Sequence, residues 1–108
     1  MEAQLLYFEG CPNWELARAR LRAALDAVGS DAKLVLHQVT TAEEAARSGF
    51  RGSPTILLGG RDPFASPEDP IGLSCRLFQT PAGIAGAPTV EQLIAALTTA
   101  QRNPAPEG

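Results

Sequence analysis

The sequence predicts a single α/β domain: a four-stranded mixed sheet with helices on both faces, in the order β-α-β-α-β-β-α. Three observations carry this. Short apolar runs rich in strand formers alternate with stretches of helical periodicity. Two Thr-x-x-Glu/Gln patterns mark helix starts, at Thr41–Glu44 and Thr89–Gln92. At 108 residues, the chain matches the size of one ordinary domain and needs no disulfide staples to bury a core.

Gln4–Phe8 is apolar on both faces, as a strand covered by helices on each side would be, and is bounded by Glu9-Gly10. A helix follows. Pro12 suits its first turn, where the missing N–H costs nothing. Trp14, Ala17, Arg18, Leu21, Ala24, Leu25 and Val28 recur at helical spacing, and Gly29 supplies the stop. Arg18 alone breaks the stripe, and its long stem can snorkel outward.

Lys33–Val39 reads as the second strand. The Thr41 capping box opens a short helix that ends near Gly49. Thr55–Leu58 is the third strand, stopped by Gly59-Gly60. Residues 61–73 carry three prolines and three acids and read as a loop. Ser74–Thr80 is the fourth strand, expected antiparallel to the third because no helix intervenes. Pro81–Pro88 is a turn-rich link, and the last helix runs from the Thr89 box to about Ala100. Residues 1–100 thus form the domain, and 101–108, with Pro104 and Pro106, a flexible tail.

Composition narrows the function classes. The hydrophobic share of 44 % and charged share of 19 % are those of a globular protein, not of a disordered or membrane chain. A net charge of −3 argues against a nucleic-acid partner, which wants a clustered basic face. Arg18, Arg20 and Arg22 read as solvated helix surface. No stretch reaches the roughly 18–20 apolar residues of a membrane span, and Met1–Phe8 lacks the features of an export signal. A cytoplasmic location is the resulting expectation, so the two cysteines read as thiols rather than as a disulfide framework.

Two local patterns sharpen the reading. Gly49-Phe-Arg-Gly-Ser-Pro-Thr55 and Gly10-Cys-Pro-Asn-Trp14, in this order of elements, resemble segments of the thioredoxin-like superfamily. The sequence is also similar to small proteins of that fold often labelled alkylmercury lyase. The resemblance implies a cis Pro54, with Ser53 offering its backbone N–H and C=O to an extended substrate. It also places Cys11 where the family has the first cysteine of its Cys-x-x-Cys motif. The fourth position is Trp14, so the motif is incomplete, and dithiol cycling within it is out of reach.

Cys11 at a helix N-terminus faces unpaired N–H groups and the positive end of the helix dipole, which favour the thiolate. Such settings lower a cysteine pKa from ~8.5 into the range of about 3.5–7.5. Glu9 nearby opposes this if its carboxylate is close. The alternative is a small buried hydrophobe. Trp14 is either an apolar wall beside the thiol or a core anchor, and its place on the helical stripe favours the anchor.

Cys75 is the other cysteine and a possible second thiol. If it starts the fourth strand, it lies roughly 16 Å from the strand's far end, at about 3.3 Å per residue. A disulfide needs Cα atoms within about 7 Å, so a Cys11–Cys75 bridge is not expected. His37 is the lone histidine and reads as structural, and two cysteines so far apart make no zinc signature.

The functional expectation is therefore single-cysteine thiol–disulfide exchange through Cys11, with Ser53, Pro54 and Trp14 in the substrate site. The partner is a thiol or disulfide protein, or glutathione, which supplies the resolving thiol. No cofactor, metal or membrane is implied. A non-catalytic binding or assembly module is the alternative, since folds outlive their chemistry. Capture of a soft metal such as mercury ranks third, because the paired thiols and acid of organomercurial chemistry are not legible.

Overall fold

In a computed structural model the described residues are 2–11, 13–48, 50, 52–64 and 76–102. The strand Glu2–Tyr7 (β1) is central. It pairs in parallel with Lys33–Gln38 (β2) and antiparallel with Thr55–Leu58 (β3), so that Leu5 lies beside both Leu36 and Ile56. Between these strands run the helices Asn13–Ala27 (α1) and Ala42–Ser48 (α2).

Each face of this sheet carries its own core, as the two-faced apolar run in β1 requires. On one side Ala3, Leu5, Ile56 and Leu58 pack against Ala17, Leu21, Ala24 and Leu25 of α1. Leu93 and Leu97 of the last helix, Val90–Arg102 (α3), complete this cluster. On the other side Leu6 meets Val39, Ala45 of α2 and Phe50. Leu5 and Leu6, adjacent in sequence, are both buried because alternate residues of a strand face opposite sides.

The helix ends follow the sequence signals. Gly29, at φ +64°, takes the left-handed conformation after α1, and Ser30 N–H donates to Leu25 O at 3.0 Å. Thr89 and Gln92 form the full reciprocal box at α3, with bonds of 2.9 and 3.0 Å. At α2, Glu44 N–H donates to Thr41 Oγ1, but the Glu44 carboxylate reaches back to Thr40 N–H instead of that of Thr41. His37 is 52 % exposed in its side chain and sits 3.8 Å from Glu44, a surface pair worth little.

The expected four-stranded sheet of a thioredoxin-like fold is not formed. Among the described residues the main sheet has three strands, in the order β2-β1-β3. The fourth strand is only Phe78–Thr80 (β4). It pairs with Gly83–Ala85 (β5), a strand the sequence reading missed, in a separate two-stranded sheet. The order is thus β-α-β-α-β-β-β-α. The physical reason is local: Pro81-Ala82 makes a two-residue turn, and Gly83 at φ +114° adopts a backbone that other residues avoid. Closing that hairpin satisfies β4 without β3.

Two further readings change. Arg20 is not simply solvated, because its guanidinium donates to Ala87 O at 3.4 Å and Pro88 O at 3.1 Å. This ties the β5–α3 connection to α1. Residues 101 and 102 belong to α3 rather than to a tail, while 103–108 lie outside the described residues. Among the described residues no helix is long and apolar enough to cross a membrane.

Leu21 and Phe50, both fully buried, report on the two cores separately. Leu21→Ala should cost about 2–5 kcal/mol and Phe50→Ala about 3–5 kcal/mol in denaturant unfolding. A cost under roughly 1 kcal/mol for either would mean that its face is not a packed core.

Candidate functional site

Cys11 lies in the turn between β1 and α1. Its N–H closes that turn on Phe8 O at 3.3 Å, and the residue is 0 % exposed. The sulfur is not a free thiol: Cys11 is disulfide-bonded. Cys75, the other cysteine of the sequence, lies outside the described residues, as does Pro12.

The segment against which Cys11 packs is Gly52–Thr55. The Ser53–Pro54 peptide is cis, as the resemblance implied. Ser53, Pro54 and Thr55 are buried, and Thr55 Oγ1 donates to Gly52 O at 2.7 Å. Gly52 itself sits at φ +102°, a conformation suited to glycine. Cys11 Sγ lies 3.7 Å from the Ser53 carbonyl oxygen. A disulfide sulfur has no proton to give, so this is a packing contact. The donor to the sulfur is instead Asn13 Nδ2, at 3.9 Å from the first turn of α1.

The Ser53 carbonyl also accepts the Arg76 N–H at 2.9 Å. This bond overturns the strand geometry used to separate the cysteines. With the fourth strand beginning at Phe78, residue 76 is not part of it, and the chain there reaches the Cys11 end of the sheet.

The side chain of Arg76 holds that position. It is 5 % exposed and pairs with Asp62 through two bonds, Nη1–Oδ2 at 2.6 Å and Nη2–Oδ1 at 3.3 Å. Its guanidinium lies 4.7 Å from the centre of the Phe78 ring, which meets Phe64 edge-on at 5.6 Å. Asp62 Oδ1 also accepts Phe64 N–H at 2.9 Å, so one carboxylate orders the start of the 61–73 loop and anchors Arg76. The rest of that loop lies outside the described residues. The pair was not legible beforehand, since nothing in the spacing of residues 62 and 76 marks it.

Trp14 is a half-buried anchor, packed on the α1–α3 core and stacked on Tyr7 with ring centres 4.1 Å apart. Glu9 is exposed. Ser53 Oγ is buried and, among the described residues, has no hydrogen-bond partner, which costs about 1–3 kcal/mol. No cluster of three or more metal-ligating side chains occurs among the described residues.

Compared with family models, with curated proteins and with solved structures, the chain matches none. Nothing in those comparisons ties it to the thioredoxin-like superfamily.

The Asp62–Arg76 pair gives a direct test of this architecture. Arg76→Leu strands a carboxylate that is 9 % exposed, and should destabilise the fold by roughly 3–5 kcal/mol in denaturant titration. A loss below about 1 kcal/mol would show that the pair does not hold the segment.

Proposed function

We propose that this protein carries out thiol–disulfide exchange at Cys11, with Cys75 as the resolving thiol. The observation behind this reading is the disulfide at Cys11, set where α1 begins and packed on the carbonyl of Ser53. A sulfur at a helix N-terminus is a good leaving group and a good attacking thiolate. The dipole and the unpaired N–H groups stabilise its negative charge. The reading departs from the single-cysteine route only in where the second thiol comes from.

In the reduced protein the Cys11 thiolate attacks one sulfur of a disulfide R–S–S–R and releases one RS⁻. Cys11 is then joined to the second R group as a mixed disulfide. Cys75 loses its proton to solvent, and its thiolate attacks Cys11 Sγ. The second RS⁻ leaves and the internal disulfide forms. Two electrons pass from the two cysteines to the substrate, and two external thiols reset the protein by the reverse steps. Glutathione or a protein thiol fits the external role.

A second reading rests on the complete burial of Cys11. A sulfur with no exposed surface suits a structural staple, which would leave the chain a binding module. The two readings separate on reactivity in the folded state. In the exchange reading, reduced Cys75→Ser incubated with oxidised glutathione accumulates one glutathione adduct on Cys11, seen by mass spectrometry. Reduced wild type returns instead to the adduct-free disulfide. Absence of the adduct in folded Cys75→Ser, with labelling only in denaturant, would leave the staple as the account.

A further inference from the structure

Among the described residues, Asn13 directs its side-chain amide at Cys11 Sγ, and Gly86 lies against that amide. A Cβ built on Gly86 would collide with the Asn13 amide, closer than real Cβ contacts come. Gly86 is not among the glycines with positive φ, so its backbone does not demand glycine. A side chain there would instead require the Asn13 amide to move. Gly86 sits between β5 and α3, in the connection that Arg20 ties to α1 through the Ala87 and Pro88 carbonyls. The position of the glycine against Asn13 is therefore set by the packing of α1 on α3.

We propose that Asn13 is the positioning residue that stabilises Cys11 as a thiolate, and that Gly86 is glycine so that the Asn13 amide can stand against the sulfur. The inference rests on the exchange reading given above. When an external thiolate attacks the partner sulfur, the S–S bond breaks and its electron pair leaves on Cys11. The amide N–H already directed at Sγ then donates to an anion, a stronger bond than it makes to a neutral sulfur. The buried Ser53 hydroxyl, without a hydrogen-bond partner among the described residues, is a further donor on the segment that Cys11 packs against.

Among the described residues the titratable groups nearest Cys11 in sequence or packing are turned to other partners or to solvent. Glu9 and Glu15 are exposed, Tyr7 is stacked on Trp14, and the Arg76 guanidinium is paired with Asp62.

The test is a double-mutant cycle on Asn13→Ala and Gly86→Ala. The readouts are the pH dependence of Cys11 alkylation in the Cys75→Ser background, and the rate at which glutathione opens the disulfide when both cysteines are present. Asn13→Ala should reduce the thiolate fraction at neutral pH on the order of tenfold, and slow opening in proportion. Gly86→Ala should act in the same direction by displacing the amide. In the double variant Gly86→Ala should add nothing to Asn13→Ala, because the side chain it displaces is gone. If Gly86→Ala alone fails to fold, recovery of folding in the double variant supports the same collision.

An unchanged titration in Asn13→Ala, with wild type exchanging normally, overturns this proposal and leaves the exchange reading standing. So does a Gly86→Ala effect that persists undiminished in the double variant. Failure of folded wild type to exchange at all overturns both.

Discussion

The Ser53 carbonyl is the point on which the separate parts of this chain converge. It accepts the Arg76 N–H, and Cys11 Sγ packs against it from the other side of a sequence gap of some forty residues. A buried carbonyl needs a partner, and β3 begins only at Thr55, too late to provide one from the sheet. Satisfying that single acceptor therefore brings the chain at residue 76 to the β1–α1 turn.

This arrangement is held by packing on one side and charge on the other. The two-sided core around β1 places the β1–α1 turn at the end of the sheet, and Trp14 stacked on Tyr7 fixes the first turn of α1. Arg76 is drawn inward by Asp62 and lies over Phe78, so the start of the small hairpin and the start of the 61–73 loop share one anchor. A buried ion pair is weak evidence of net stability, since desolvation offsets most of its attraction. Its value here is positional: an Arg76 that must meet Asp62 leaves the backbone at 76 few places to go.

Legibility from sequence tracked the range of the interactions. α1 was legible because its stripe from Trp14 to Val28 and the Gly29 stop are local, and the Thr89–Gln92 box because it spans four residues. Thr55–Leu58 was read with its observed bounds. The β4–β5 hairpin was missed because three residues a strand are too few for alternation to show. Once β4 is known to begin at Phe78, the long separation assumed for the two cysteines loses its basis. The Asp62–Arg76 pair is tertiary, and no spacing rule announces it; the approach of Asn13 to Cys11 is local, two residues along the chain, but no motif marks which way the amide turns. Cys11 and the segment Ser53-Pro54 were singled out by resemblance. Their meeting within 3.7 Å is a property of the fold.

The central claim is that the disulfide at Cys11 is exchangeable in the folded protein. Its most direct test is equilibration of wild type in glutathione buffers of graded ratio, with acid quenching, alkylation and mass analysis, while circular dichroism follows the fold. The account requires a reversible transition between no label and two labels with the fold intact. Its midpoint should fall in the roughly −120 to −270 mV span of exchange proteins. A disulfide that stays closed across the whole series, and yields only when the protein is unfolded, would contradict it.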